Sequence, residues 1–373
     1  MTSTSAEDAG RATARIAVLG TGLIGTSIAL AAARAGILVR GWDVEDARAA
    51  AAAGAGALEP APSLELAVDD ADLVIVSTPI PAIADTVVAA LEAAPGAIVS
   101  DTGSIKGRVN LEVASRAPAA ALPRFVSGHP MGGSERSGPE HASASVVDGI
   151  VWVVAPAPST SEVAVERLSA FVRTVGARPV ALTPERHDRL VAFVSHLPQV
   201  ASTSLMGLAA TEEAHEPDIL LLAAGGFRDL TRLAASDPAL WSDILVANRE
   251  QIVEAIDLYV ERLGALRDDV VGERGGEVER TFEEAKRARL RLATKPQVRA
   301  GVAVLQVEIP DEPGALARIT ATIGDGGVNI EDLQIVHSPE GGRGTVHLTV
   351  VGSAVEDAFG VLRGAGYDPT RLA

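Results

Sequence analysis

The stretch IAVLGTGLIGTSIALAAARAGILVRGWD, from Ile16 to Asp43, decides the fold of the first half of this chain. Its first four residues form a short apolar run that stops at Gly20, which is typical of a buried parallel strand. An Ala-rich segment up to Arg34 then predicts a helix that ends at Gly36. A second apolar run ends at Asp43. This order of strand, glycine turn, helix and strand predicts the first unit of a Rossmann domain.

Three glycines in this stretch follow the G-x-G-x-x-G pattern of dinucleotide-binding turns. Gly20 permits the tight turn, Gly22 lets the backbone approach a pyrophosphate, and Gly25 lets the helix pack on the strand. Asp43 follows at the distance where a carboxylate accepts from a ribose 2′-hydroxyl, and Val44, Glu45 and Asp46 after it offer no cation to a 2′-phosphate. The pattern therefore favours NAD over NADP. The expected contacts are Gly20, Thr21, Gly22, Leu23, Ile24, Gly25 and Asp43.

The composition limits the class of protein. The 373 residues predict two or three domains, and the hydrophobic fraction of 47% supplies ample material for buried cores. A net charge of −17 without a basic stretch argues against nucleic acid and anionic membranes as partners. The chain has no cysteine, so disulfides, thiol nucleophiles and Cys-ligated metals are excluded. We expect a cytoplasmic protein that needs no metal, with no signal peptide and no membrane span.

Periodicity along the chain predicts four regions. Residues 1–14 are small, polar and acidic and are expected to be disordered. Strands alternate with helices over 15–183, which predicts a doubly wound parallel α/β sheet. Residues 184–295 show only helical periods, in candidate segments 185–210, 216–235, 238–264 and 266–293, with a break expected at Pro198. After a linker, residues 301–373 follow the β-α-β-β-α-β order of a ferredoxin-like domain.

Polar residues stand where two strands of the predicted sheet end. Ser77, Thr78 and Pro79 follow one apolar run, and Asp101 and Ser104 follow the next. Ligands of such sheets bind beyond the carboxyl ends of the strands, so we expect these residues beside the cofactor. Ser104 fits two roles equally well by its position: a hydrogen bond to substrate or nicotinamide, or the N-cap of the next helix.

The segment GHPMGGSE, from Gly128 to Glu135, is interpreted as a Gly-rich loop on the ligand side of the sheet. His129 in this loop suits a general base, because an unperturbed imidazole has a pKa of about 6.5. In the helical region, Arg228 and Arg232 are spaced to share a helix face and suit a dicarboxylate substrate. Asp188 and His196 lie eight residues apart, and spacing alone favours an ordinary helix surface for Asp188.

These motifs together resemble bacterial prephenate dehydrogenases of the TyrA family, over nearly the whole chain after residue 14. The resemblance implies NAD-dependent oxidative decarboxylation of prephenate to 4-hydroxyphenylpyruvate in tyrosine biosynthesis. It implies that His129 takes the proton of the ring hydroxyl, that Ser104 orients hydroxyl and nicotinamide, and that Arg232 anchors a carboxylate. The remaining residues matched to the substrate pocket are Arg228, Glu135, His196, Gln199, Asp188 and Trp241.

One position departs from the family pattern. Many relatives read Ser-His-Leu-Pro-His, whereas this chain has Gln199 in place of the second histidine. Glutamine hydrogen-bonds but carries no charge, so arogenate, the amino counterpart of prephenate, stays as an alternative substrate.

The C-terminal region resembles ACT domains, which usually bind amino acids. The resemblance rests on DEPGAL, from Asp311 to Leu316, and on Val328-Asn329-Ile330. We expect tyrosine to bind there and to lower activity, with a homodimer as the assembly. The predicted regulatory residues are Asp311, Gly314, Ala315, Leu316, Asn329 and Ile330.

Two rival interpretations remain at this point. A β-hydroxyacid dehydrogenase joins the same two domain types but relies on a lysine in the helical domain, and Lys106, Lys286 and Lys295 are not placed in such a motif. A regulator that senses NAD and an amino acid without catalysis explains both terminal domains, but it leaves His129 and the two arginines without a role.

Overall fold

The computed structural model describes residues 13–132, 138–293, 302–310, 312–337 and 343–372. The predicted disordered start up to residue 12 lies outside these residues, as do the whole of the predicted linker, Glu135 and Asp311. The chain divides into two compact units, Met1–Ala265 and Leu266–Ala373. The nucleotide-binding region and the helices that follow it up to Ala265 therefore belong to one unit.

The first unit opens with a parallel five-stranded sheet in the order β3-β2-β1-β4-β5. Its strands are β1 (Arg15–Leu19), β2 (Leu38–Trp42), β3 (Glu59–Pro60), β4 (Leu73–Val76) and β5 (Ile98–Asp101). The connecting helices are α1 (Leu23–Arg34), α2 (Asp46–Gly54), α3 (Leu64–Val68), α4 (Ile80–Ala93) and α5 (Gly107–Arg116). Alternate residues of β1 enter two different cores: Ile16 and Val18 pack on one face of the sheet, Ala17 and Leu19 on the other. Burial on both faces explains the continuous apolar run.

A second sheet of three strands follows, and it corrects one expectation. Its elements are β6 (Ser127–Pro130), β7 (Val151–Ala155), α6 (Glu162–Thr174) and β8 (Arg178–Ala181). The segment at His129 begins as a strand, not as a loop, because Ser127–Pro130 pairs antiparallel with β7. The residues just before it, 125–126, contact β5 through a bridge from Phe125 to Val99. The doubly wound arrangement is confirmed, but this smaller sheet is mixed rather than parallel.

The helical region contains α7 (Pro184–Val191), a π-helical turn (Ala192–His196), α8 (Leu197–Glu212), α9 (Gly225–Thr231), α10 (Pro238–Ala247), α11 (Arg249–Val271) and α12 (Gly275–Ala293). The break expected at Pro198 is present as the π-turn, and the proline lies in the first turn of α8, where a missing N–H is tolerated. The predicted continuous helix over 216–235 is wrong: only Gly225–Thr231 is α-helical, and a 3₁₀ turn follows at Arg232–Ala235. Within the described residues, no helix is long and apolar enough to cross a membrane.

The last region folds as predicted into the ferredoxin-like order. Its elements are β9 (Val302–Pro310), α13 (Ala315–Asp325), β10 (Ile330–His337), β11 (Arg343–Val351), α14 (Val355–Gly364) and β12 (Thr370–Leu372). The strands form an antiparallel sheet in the order β10-β11-β9-β12. Leu305, Val307, Ile319, Leu348 and Leu362 belong to the core between sheet and helices.

Candidate active site

The glycine-rich turn after β1 has the geometry that a dinucleotide requires. Gly20 has φ = +93°, and a Cβ there would lie 2.5 Å from the carbonyl oxygen of Ser77. A Cβ on Gly25 would lie 2.0 Å from the carbonyl oxygen of Gly20, so only glycine lets α1 pack this closely. A Cβ on Gly22 would meet nothing within 4 Å, and no side chain caps α1 at this residue. The space and the helix N-terminus together fit a pyrophosphate.

Asp43 and Thr78 lie at the ends of the two strands that flank β1. Oδ2 of Asp43 accepts from the backbone N–H of Thr21 at 2.7 Å, which places the carboxylate against the glycine-rich turn. Oγ1 of Thr78 is buried and has no hydrogen-bond partner. An orphaned polar atom at the carboxyl edge of a Rossmann sheet is consistent with a ligand that supplies the missing partner.

Asp101 differs from its predicted cofactor contact. Its side chain is fully buried, and Oδ1 accepts from the Ser127 hydroxyl at 2.6 Å while Oδ2 pairs with the ammonium group of Lys106. Gly103 donates its backbone N–H to Oδ2 at 2.9 Å. The carboxylate of Asp101 is wholly inaccessible, so it does not face a nucleotide. Asp101 instead ties the end of β5 to β6.

Lys106 extends this buried connection. Its Nζ donates to the Gly128 carbonyl oxygen at 2.6 Å, and the side chain is wholly inaccessible. Burial is the main cause that lowers its pKa, and the charge of Asp101 opposes that shift. Lys106 therefore holds the strand that carries His129, and the sequence analysis did not select it for the site.

His129 is half-buried on β6 and contacts a second histidine. The distance from His129 Nδ1 to His187 Nε2 is 2.8 Å, and the distance from His187 Nδ1 to Asp188 Oδ1 is also 2.8 Å. Burial, together with His187, Lys106 and His196 nearby, lowers the pKa of His129 well below 6.5. His129 is therefore neutral at neutral pH, as a general base must be.

Asp188 is buried, and it caps α5 from a distant part of the chain. Its Oδ1 accepts from the backbone N–H of Lys106 at 2.8 Å, and its Oδ2 accepts from that of Gly107 at 2.7 Å. This contact corrects two expectations. Ser104 is not the N-cap of α5, which begins at Gly107, and Asp188 is not an ordinary surface residue. Its carboxylate faces the helix N-terminus and His187 rather than an open pocket.

A second group of predicted residues meets around the π-turn. His196 is buried and lies edge-on to Trp241, with ring centroids 6.0 Å apart. Asn248 Nδ2 donates to the Asp188 carbonyl oxygen at 2.9 Å and lies 3.3 Å from His196 Nδ1. Burial lowers the pKa of His196 to about 4, although Asp188 opposes the shift. Contacts thus run without interruption from His129 through Asp188 to Trp241.

Gln199 differs from its predicted substrate contact. Its Nε2 donates to the Leu233 carbonyl oxygen at 2.8 Å and to Thr203 Oγ1 at 3.3 Å. Its Oε1 accepts from the Ser236 hydroxyl at 3.4 Å. The amide of Gln199 is therefore hydrogen-bonded within the protein, chiefly to the 3₁₀ turn that begins at Arg232 and to Ser236 directly after it.

The two arginines that are predicted to bind a dicarboxylate lie in and just after α9. Arg228 lies in α9 and is exposed, whereas Arg232 begins the 3₁₀ turn after that helix.

The predicted regulatory residues lie at two ends of the C-terminal sheet. Gly314 has φ = +86° and precedes Ala315, which is buried, and Leu316, which is 36% exposed. Ile330 aligns with Ala303 through β11, while Pro310, just before the Gly314 turn, is at the other end of β9. Seven residues of strand separate the two ends by about 23 Å. One amino acid therefore cannot touch both groups within a single copy of the domain.

Sequence reasoning missed four residues of this site, namely His187, Lys106, Ser127 and Asn248. Lys106 follows Ser104 by two residues, and His187 stands directly before Asp188. Their burial depends on the packing of α7 against α5, which no spacing rule along the chain reveals.

Comparisons with known proteins agree with this architecture. Residues 28–181 match the nucleotide-binding domain of prephenate dehydrogenases, residues 183–284 match their dimerization domain, and residues 303–362 match the ACT domain. The fold and site therefore define a nucleotide-binding dehydrogenase with a helical dimerization domain and an ACT domain. The chain belongs to the prephenate dehydrogenase family.

Individual relatives support the same assignment. Prephenate dehydrogenase of Bacillus subtilis is 33% identical over 90% of this chain and 91% of its own length. Cyclohexadienyl dehydrogenase of Zymomonas mobilis is 31% identical over 76% of this chain and 98% of its own length.

Two crystal structures share the fold. Prephenate dehydrogenase from Aquifex aeolicus, in complex with hydroxyphenyl propionate and NAD+, is 27% identical with a TM-score of 0.71, covering 76% of this chain and 99% of its own. Arogenate dehydrogenase from Synechocystis is 26% identical with a TM-score of 0.66, covering 74% of this chain and 99% of its own.

Proposed function

We propose that this enzyme oxidises and decarboxylates prephenate to 4-hydroxyphenylpyruvate with NAD. The single observation that carries the proposal is His129, a neutral imidazole on β6 whose Nδ1 is engaged by His187. Nε2 of His129 takes the proton of the 4-hydroxyl group of the substrate. Bound NAD would accept the hydride from the same carbon, and the ring carboxylate would leave as CO₂. His129 would then return the proton to the ring oxygen, and the aromatic ring of the product makes the reaction effectively irreversible.

Bound NAD would supply the hydride acceptor, and the chain offers residues that would hold it. The turn at Gly22 and the start of α1 hold the pyrophosphate, and Asp43 accepts from the ribose hydroxyl. Thr78 donates its unpartnered hydroxyl toward the cofactor. Ser77 and Pro79 complete the cofactor contacts that the sequence predicts.

In this proposal Arg232 binds a carboxylate of the substrate. Gln199 does not contact the substrate but holds Arg232 in place. The Gln199 amide binds the Leu233 carbonyl oxygen and so fixes the 3₁₀ turn of which Arg232 is the first residue. Trp241 and His196 form the wall of the pocket, and Ser104 orients the hydroxyl group. Glu135 keeps its predicted role in the substrate site but lies outside the described residues.

Arogenate is the second candidate substrate. Gln199 stands where many relatives have a histidine. Its amide is uncharged, so this position offers the side chain of the substrate no charged partner. The names of the Synechocystis and Zymomonas relatives show that related enzymes differ in substrate. The alternative of a regulator without catalysis loses support, because the chain belongs to a family of dehydrogenases.

The decisive experiment measures NADH formation by the purified full chain with prephenate and with arogenate, and identifies the product by chromatography. Production of 4-hydroxyphenylpyruvate from prephenate supports the proposal. Turnover of arogenate alone, giving tyrosine, replaces the substrate but keeps His129 as the base. Turnover of neither contradicts the proposed reaction.

We further propose that tyrosine binds the ACT domain beside Gly314 and lowers activity. The support is the left-handed turn at Gly314, which opens α13 next to the half-exposed Leu316. The variant Leu316→Glu should lose tyrosine inhibition and keep turnover, whereas Arg371→Glu, exposed on β12, should keep both. Inhibition that survives both Leu316→Glu and truncation after Thr294 would place tyrosine at the active site instead.

The cytoplasmic location stays a prediction that cell fractionation can test.

A further inference from the structure

Three polar groups form a chain that leads away from the proposed base. His129 Nδ1 contacts His187 Nε2, and His187 Nδ1 contacts Asp188 Oδ1, each at 2.8 Å. His187 is wholly buried, and Asp188 is only 5% exposed.

Asp188 sets the direction of the hydrogen bonds that link His129, His187 and Asp188. Its two oxygens already accept from the backbone N–H groups of Lys106 and Gly107, so the carboxylate serves as an acceptor on both sides. The proton between Asp188 and His187 therefore belongs to Nδ1 of His187. In the neutral ring, Nε2 of His187 is then an acceptor, and Nδ1 of His129 must donate to it.

We infer that His187 is a positioning residue that holds His129 in the tautomer with its proton on Nδ1, which leaves Nε2 of His129 as the proton acceptor for the substrate hydroxyl. The inference rests on the proposed function for the identity of that substrate. It does not rest on it for the tautomer, which is a property of the free protein.

The opposite arrangement has a distinct signature. If His187 carried protons on both nitrogens, it would donate to Nδ1 of His129. The proton of His129 would then lie on Nε2, where it would block the base. The two arrangements therefore differ in the position of one proton on His129.

The test is ¹⁵N NMR of the full chain with labelled histidines at pH 7.5, with the His129 signals assigned by their loss in His129→Asn. Seven histidines keep the spectrum simple. We expect a protonated Nδ1 and an unprotonated Nε2 for His129. A protonated Nε2 in the wild-type protein overturns the inference, whatever the enzyme turns over.

Two variants connect the tautomer to the rate. His187→Leu removes the acceptor, so a population with protonated Nε2 should appear on His129 and kcat should fall about 10- to 100-fold, with the Kd for NAD unchanged. His187→Gln offers an amide oxygen to His129 Nδ1 and should restore both the tautomer and most of kcat. The matched control is His215→Gln on an exposed position, which should change neither quantity.

The outcomes separate this inference from the proposed function. Unchanged His129 signals and unchanged kcat in His187→Leu contradict the positioning role. If His187→Leu fails to fold, the wild-type spectrum and His187→Gln decide. Failure of the wild-type enzyme to turn over prephenate or arogenate contradicts the proposed function and leaves the tautomer measurement valid.

Discussion

At the scale of single residues, neighbours rather than residue type set the chemistry. A free imidazole has a pKa of about 6.5, but burial and nearby cationic or titratable groups push His129 and His196 below that value. Asp101 shows the same dependence on its surroundings. A carboxylate at a strand end is a plausible cofactor ligand, yet here Lys106 and Ser127 use it to hold β6.

Replacing the proposed base tests the residue scale most directly. His129→Asn should lower kcat by about 10²- to 10⁴-fold, because it removes the proton acceptor, while the Kd for NAD stays within twofold. Steady-state kinetics and a binding titration measure the two quantities. His215→Asn is the control and should match the wild type. A kcat within threefold of the wild type for His129→Asn would rule out this base.

The glycines of the fingerprint should separate folding from cofactor binding. Gly25→Ala places a Cβ 2.0 Å from the Gly20 carbonyl oxygen, so we expect a lower Tm and weaker NAD binding. Gly22→Ala meets open space, so Tm should hold while NAD affinity falls at least tenfold. Gly54→Ala also meets open space, away from the turn, and should change neither. Unchanged NAD affinity in Gly22→Ala would contradict the pyrophosphate position.

At the scale of elements, the segment from α7 to α8 organises the site. The π-turn at Ala192–His196 separates two helices that carry His187 and Asp188 on one side and Gln199 on the other. Proline in the first turn of α8 explains why the chain departs from α-helix just before it. The turn leaves His196 buried against Trp241 instead of exposed on a regular helix surface.

The buried His196 should make stability depend on pH. Its folded pKa is about 4 and the unfolded value is about 6.5. The unfolded chain therefore takes up the proton first as the pH falls. The free energy of unfolding is highest above pH 6.5, and this group removes up to about 3 kcal/mol of it as the pH falls toward 4.

Urea unfolding followed by tryptophan fluorescence checks this effect. Between pH 7 and pH 5, His196→Gln should lose about 2 kcal/mol of the wild-type change in unfolding free energy. His215→Gln should keep the full wild-type change, because that histidine is exposed. A wild-type slope retained in His196→Gln would mean that His196 is not held neutral.

At the scale of the whole molecule, the helical region buries little by itself. Among the described residues, its own buried hydrophobic cluster consists of Ala192, Ile252 and Ala255. Val253 and Val260 of α11 are more than half exposed, although they lie seven residues apart on one face. This pattern fits the match to a dimerization domain, because a second copy would cover apolar faces that the described residues leave open.

We expect a homodimer, with a mass by light scattering of twice the 38.2 kDa of one chain. The double variant Val253→Lys/Val260→Lys should shift the mass toward the monomer, because it places charges in the apolar face of α11. The control pair Leu66→Lys/Leu111→Lys changes equally exposed leucines of the nucleotide-binding region and should leave the dimer intact. A monomeric wild-type protein would contradict the prediction.

Local pattern determined much of this protein. The apolar run of β1, the three glycines and Asp43 identify a Rossmann unit because each answers a local steric or electrostatic need, and β-α-β-β-α-β order follows from periodicity alone. Tertiary structure decided which polar residues meet. Lys106 meets Asp101 and Gly128 from two different strands. Asn248 meets Asp188 from 60 residues further along the chain, and Asp188 caps a helix 81 residues before it. Burial and hydrogen-bond partners depend on such long-range packing, so the sequence predicts candidate site residues but not the contacts between them.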